Sequence, residues 1–452
     1  MALKFIDLFA GLGGFHFALE ELGCECVFAS ELKEDLRRLY QVNFRGCRIE
    51  GDITKIEPED IPAHDILCAG FPCQPFSQAG KRQGFKDEHD RGNLFNYICA
   101  ILQKHRPRYV LLENVANLIG HDKGNTWDVI YHQLSDSVEN GGLNYEVKQV
   151  ILSPHQFQIP QHRRRIYIIC ENRDYGKLDN FQFPTTTTRK CDICKIIEED
   201  DMDYIPLKEE TRNQLSVWQE FIDQCVSHKV EIPSFPIWAM EFGATYDYRL
   251  IAPAKQSISD LQGKKGKLGS SIVGNSIDEC LSCLPIYAQS KKDKTFPDWK
   301  IRYIEQNREF YVQNKKWLDK WMLKIQNFEN SHQKMEWNCG RENVLPTLSD
   351  KIIQFRASGI RVKLPTYSPA LNLVGTQIPI LPWITLPKSE KNTKESKGRY
   401  MTRKEAAKLQ GMKKLKFGDD NFKLSVPRSF AALGNAVNVT IVKHLAKRLL
   451  GL

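Results

Sequence analysis

Apolar residues along the first 170 positions follow two alternating rhythms. Residues 2–8, 26–30, 65–69, 109–112 and 165–170 are short, nearly unbroken apolar runs, the pattern of strands covered on both faces. Between them, residues 15–22, 32–42, 94–102 and 127–134 repeat apolar side chains at helical spacing. Strands alternating with helices predict an α/β fold, a mostly parallel twisted sheet with helices on both faces.

Beyond residue 184 the rhythm breaks. Residues 189–395 are rich in Trp, Lys, Asn and Pro and show no clean alternation. One helix is predicted there, over 298–328, with Trp299, Tyr303, Trp317 and Trp321 on its apolar positions. The lysine-rich stretch 388–398 reads as a flexible linker. Regular patterning returns at 399 and ends in an amphipathic helix over 437–450. The chain therefore divides into an N-terminal part (1–184), a smaller irregular region (185–398), and a C-terminal segment (399–452) that returns to the first.

Composition narrows the class only slightly. Hydrophobic residues make up 41% and charged residues 26% of the 452 positions, ordinary for a globular protein. Neither a signal peptide nor a run of about 18 apolar residues is present, so a cytoplasmic location without membrane insertion is expected. The net charge of +9 is modest; basic residues cluster at 163–165, 264–267, 291–294 and 413–416, and each cluster singly reads as solvated surface before it reads as a phosphate contact. Thirteen cysteines in a chain without a secretory signal do not suggest a disulfide framework. The pairs Cys191/Cys194 and Cys280/Cys283 have metal-ligand spacing, but some 85 residues separate them, and neither has a glycine-rich knuckle.

Four segments carry candidate chemistry. Phe-Ala-Gly-Leu-Gly-Gly at 9–14 joins a strand to a helix, where glycines let the backbone approach an anionic group. The third glycine of a dinucleotide fingerprint is missing. Glu31, about 20 residues on, ends the second strand, where an acid can hold ribose hydroxyls, and Asp52 ends the third. Gly-Phe-Pro-Cys-Gln-Pro-Phe at 70–76 places Cys73 between two prolines, on a loop after a buried strand. A cysteine there packs poorly and reads as a reactive thiol. Glu113 follows four apolar residues at a strand end and reads as a helix cap or a catalytic acid. Gln161, Arg163 and Arg165 alternate, so period two places all three on one face, away from Ile166 and Ile168.

Together these segments closely resemble the DNA cytosine-5 methyltransferase family, particularly its bacterial restriction-modification members. The matching pieces stand in the family's order: the first glycine loop, Glu31, Gly51-Asp52, Pro72-Cys73-Gln74, Glu113-Asn-Val115, Gln161 through Arg165, and Gly434-Asn-Ala-Val437. The resemblance covers about 3–184 and 399–450. It implies a Rossmann-like S-adenosylmethionine-dependent catalytic domain, with the middle region as a target recognition domain. The thiolate of Cys73 would attack carbon 6 of a flipped cytosine, Glu113 would contact N3 and the exocyclic amine, and Arg165 and Arg163 would orient the base. Phe9, Gly11, Gly13, Glu31, Asp52, Ile53, Pro72 and Asn435 would surround S-adenosylmethionine. Gln74, Ser77, Arg356, Ser358, Arg361, Lys363 and Thr366 would contact double-stranded DNA. The resemblance implies no metal and no obligate protein partner. It implies a monomer paired functionally with a restriction endonuclease. Two departures stand out: Leu32 occupies a position where many relatives have tryptophan, and the link across 84–92 is longer than usual. Transfer RNA methyltransferases sharing this core typically carry a Cys-Phe-Thr motif, which is absent here.

Overall fold

A computed structural model of the chain describes residues 2–72, 94–340, 342–371, 376–387 and 397–452. The chain forms two compact units. The first comprises 1–198, 366–376 and 402–452; the second comprises 199–365 and 377–401.

The first unit opens with the predicted alternation. Strand β1 (Lys4–Leu8), helix α1 (Gly14–Glu20), β2 (Glu25–Ser30), α2 (Glu34–Asn43), the two-residue β3 (Ile49–Glu50) and β4 (Ile66–Gly70) follow in turn. Next come α3 (Leu94–His105), β5 (Tyr109–Val115), α4 (Asn125–Ser135), β6 (Tyr145–Leu152) and β7 (Arg165–Asn172). The seven strands form one sheet in the order β3-β2-β1-β4-β5-β7-β6. The first five are parallel neighbours, and β7 runs antiparallel to both β5 and β6. Strand order reverses between β1 and β4, so their carboxyl ends open a crevice where such sheets bind ligands. Ile6, Leu67, Phe95, Val110 and Ile166 are among the residues of its core. Because helices and neighbours cover both faces, Ile166, Tyr167, Ile168 and Ile169 are all buried. The inside–outside alternation expected around Arg165 is therefore absent.

Strand β6 was not among the predicted strands. Its inner residues are mostly only half buried, so it lacks the continuous apolar run that marks the central strands.

The second unit holds more regular structure than its sequence pattern indicated. Helices α5 (Glu209–Ser227), α6 (Ile258–Leu261), α7 (Ile277–Ser282) and α8 (Asp298–Ile325) accompany six strands. These are β8 (Ile237–Trp238), β9 (Lys334–Asn338), β10 (Ile352–Arg356), β11 (Gly359–Lys363), β12 (Ile380–Thr385) and β13 (Lys397–Tyr400). They form a sheet in the order β13-β12-β10-β11-β9-β8. Each strand has six residues or fewer, too short to establish a visible period of two. Helix α8 lies where expected, and Trp317 and Trp321 are buried. Trp299, however, is 49% exposed; the buried stripe instead runs through Lys300, Ile304, Asn307 and Phe310. Of the expected linker, 388–396 lie outside the described residues and 397–398 begin β13.

The chain returns to the first unit at 402 with α9 (Arg403–Leu409), α10 (Val426–Asn435) and α11 (Val439–Leu449). Thr402 and Glu405 form a reciprocal capping box at the start of α9, and Asn438 accepts from the Ile441 N–H at the start of α11. Such side chains satisfy backbone donors that have no intrahelical partner.

Candidate active site

The turn between β1 and α1 depends on left-handed backbone. Phe9, Gly11 and Gly13 have φ of 56°, 55° and 77°. A Cβ on Gly13 would lie 2.3 Å from the Phe44 ring, and one on Gly14 would lie 2.5 Å from the Val437 carbonyl oxygen. Glycine is thus required by conformation at Gly13 and by space at both positions. The Gly11 N–H donates to Glu31 Oε2 and the Lys33 N–H to Glu31 Oε1, both at 2.9 Å. These bonds fix a largely buried carboxylate at the end of β2. Asp52 caps a short 3-10 turn, where its Oδ1 accepts from the Thr54 N–H at 3.0 Å and the Thr54 hydroxyl at 2.9 Å. Ile53 beside it is buried, whereas Pro72, Asn435 and Leu32 are exposed.

Glu113 sits in β5 between Gly70 of β4 and Tyr167 of β7. Its carboxylate is 6% exposed and lies 3.2 Å from Arg165 Nε as an ion pair. Burial raises the Glu113 carboxyl above its ordinary range, and Arg163 and Arg165 pull the other way. The side-chain amide of Asn114 donates to the Phe71 carbonyl at 2.9 Å, anchoring the segment that leads to residue 73. Cys73, Gln74, Ser77 and the whole 84–92 link lie outside the described residues.

Arg163 takes a place that alternation did not foresee. Strand β7 begins only at Arg165, and both Gln161 and Arg163 are buried ahead of it. The Arg163 guanidinium donates to the carbonyls of Gly434 at 2.6 Å and Ala436 at 3.2 Å. Its own N–H donates to Ser153 Oγ at 3.0 Å. Burial, with Arg165 nearby, lowers its affinity for a proton to a pKa of about 10. Arg163 therefore ties the C-terminal segment to the start of β7, and Arg165 alone of the two forms the ion pair with Glu113. Ser153 carried no sequence signal, since its partner is a backbone N–H ten residues away.

Arg356, Ser358, Arg361 and Lys363 share the β10–β11 hairpin of the second unit. Arg356 Nη2 and Arg361 Nε lie 2.8 and 3.3 Å from the two carboxylate oxygens of Glu336 on β9. Ser358 is exposed in the turn. Thr366 belongs to the first unit, next to Tyr367, whose ring packs against His155 and His162.

Comparison with known proteins adds relatives to this geometry. Over 182 residues, 40% of this chain and 53% of the relative, the sequence is 47% identical to the Type II methyltransferase M.HhaI of Haemophilus parahaemolyticus. It is 46% identical over 198 residues to the Type II methyltransferase M.DsaV of Dactylococcopsis salina, covering 44% of this chain and 54% of that protein. It is 41% identical over 264 residues to the Type II methyltransferase M.HaeII of Haemophilus aegyptius, covering 55% and 76%. The match thus spans about half the length of the first two relatives and three quarters of the third. The family described as C-5 cytosine-specific DNA methylase matches residues 3–451, and the chain belongs to it.

Proposed function

We propose that this chain transfers a methyl group from S-adenosylmethionine to carbon 5 of a cytosine flipped out of a specific duplex DNA sequence, through a covalent adduct with Cys73. One observation carries the reading: Glu113 meets Arg165 at 3.2 Å, directly beside Gly70, where β4 ends and the chain runs on toward Cys73. A buried acid and an orienting cation at the carboxyl end of a parallel sheet suit proton delivery to a ring nitrogen.

In this reading the Cys73 thiolate attacks carbon 6 of the base. Glu113 holds N3 and the exocyclic amine and delivers a proton as charge builds on the ring. Arg165 keeps the Glu113 carboxyl oriented. Carbon 5 becomes nucleophilic and would bond the transferred methyl group; loss of the carbon 5 proton then expels Cys73 as the thiolate, and the proton at N3 returns to Glu113 as aromaticity is restored. A target base inside a duplex is out of reach of such groups, so it must leave the stack. S-adenosylmethionine, when bound, supplies an electrophilic methyl group. The left-handed turn at 9–14 and the fixed Glu31 carboxylate fit its amino-acid and ribose ends. Phe9, Gly11, Gly13, Glu31, Asp52, Ile53, Pro72 and Asn435 would hold it. Arg356, Ser358, Arg361 and Lys363 would read base edges from the hairpin turn, with Gln74, Ser77 and Thr366 as further DNA contacts.

The Type II names of the relatives support a protective role beside a restriction endonuclease; in this reading the chain acts as a monomer in a bacterial cytoplasm. Among the described residues, no helix is long and apolar enough to cross a membrane. Bisulfite sequencing of DNA from cells expressing the protein should reveal protected cytosines in one sequence context. Methylated transfer RNA alongside unmodified DNA would overturn the substrate assignment. Cys73→Ser should abolish both methyl transfer and the stable adduct with 5-fluorocytosine DNA, and an adduct surviving that change would place the nucleophile elsewhere.

A further inference from the structure

A second group of side chains, one buried and two half-buried, has no part in the proposed chemistry. His16 on α1, Cys26 on β2 and Cys47 in the link from α2 to β3 bring a ring nitrogen and two sulfurs within 4.8 Å of one another. The two Sγ atoms are 3.4 Å apart. The Tyr40 hydroxyl lies 2.6 Å from His16 Nδ1 and 3.8 Å from Cys26 Sγ. Phe44 stacks on the imidazole, with ring centroids 3.7 Å apart. Asp7 on the adjacent β1 is 1% exposed, with the backbone N–H of His16 donating toward its carboxyl.

An imidazole and two thiols are together the donor chemistry of a borderline-soft, redox-inert divalent ion.

We propose that His16, Cys26 and Cys47 bind a single zinc(II) ion, whose two positive charges the two thiolates balance and whose fourth position is left to solvent. Tetrahedral coordination at a zinc–sulfur distance of about 2.3 Å separates two sulfurs by roughly 3.8 Å, so the thiols need to open by only a few tenths of an ångström. Binding releases the thiol protons to solvent and changes no oxidation state. The Tyr40 hydroxyl orients the imidazole, as partners of metal-bound histidines do. The ion would brace α1, β2 and the start of β3, the three pieces that carry Gly14, Glu31 and Asp52.

Elemental analysis of the full chain, purified reduced and dialysed against zinc, tests the proposal. A single zinc per chain is expected, and cobalt(II) in its place should give a sulfur-to-cobalt charge-transfer band. His16→Ala and Cys47→Ser should each abolish that band, while Cys194→Ser and Cys283→Ser keep it. Should either cluster variant fail to fold, thiol titration of the unaltered chain provides an independent readout: zinc should protect two thiols from modification. Cobalt bound without the charge-transfer band, a band that survives Cys47→Ser, a metal-free chain, or a Cys26–Cys47 disulfide in place of the ion would each overturn it.

Discussion

In the proposed reaction one side chain, Glu113, carries the proton. Replacing its carboxyl by an amide keeps the shape but removes the transferable proton, so Glu113→Gln should slow methyl transfer by roughly 10²–10⁴-fold while DNA binding persists, as single-turnover assays can separate. Its raised pKa also has a stability consequence. The folded chain binds the extra proton, so this group's stabilisation is complete below the unfolded value of about 4.3 and is lost as pH rises through the folded value. Melting curves across that window should show the decline in the unaltered chain and lack this component in Glu113→Gln. Arg163→Gln should lower stability by about 1.5–3 kcal/mol for each charged bond lost, measured by denaturant unfolding, because Gly434 and Ala436 lose their donor. The place of Glu113 near the end of a buried strand was legible from the apolar run before it. The role of Arg163 was not, because its partners are backbone carbonyls more than 270 residues further along the chain, and no local spacing records them.

Among the elements, the glycine turn is constrained both by conformation and by space. Gly13→Ala combines a φ of 77° with a Cβ 2.3 Å from Phe44, a strain on the order of 1–3 kcal/mol. Calorimetric titration should show weaker S-adenosylmethionine binding, with the melting temperature lowered in parallel. The strands beside this turn were legible because burial on both faces leaves an unbroken apolar run, as in β4, where four of five residues are buried. Strand β9 shows why the second sheet was not. Its sequence Lys-Met-Glu-Trp-Asn does alternate, with Met335 and Trp337 buried, but five residues give a period of two too few repeats to stand out. The His16, Cys26 and Cys47 cluster escaped notice for a different reason. Cys-x-x-Cys spacing directs attention to 191–194 and 280–283, whereas these ligands are brought together only by the sheet and its helices.

At the scale of the whole molecule, each unit has apolar clusters of its own: one around Ile6, Leu67 and Ile166 in the first, and two in the second, around Trp218, Trp321 and Ile353 and around Met240, Leu261 and Ile304. Scanning calorimetry should therefore resolve two transitions. S-adenosylmethionine at a hundred times its dissociation constant should move only one of them, by about 2.7 kcal/mol; a single transition shifting as a whole would refute independent cores. The first unit is also discontinuous: Arg163 reaches Gly434 across 271 residues, and Val437 lies against Gly14. A ribosome adds roughly 5–20 residues per second, so the N-terminal strands wait on the order of tens of seconds for the helices that complete their site. Throughout that wait the nascent chain holds β7 and its Arg163 without the two carbonyls that this guanidinium meets in the finished fold.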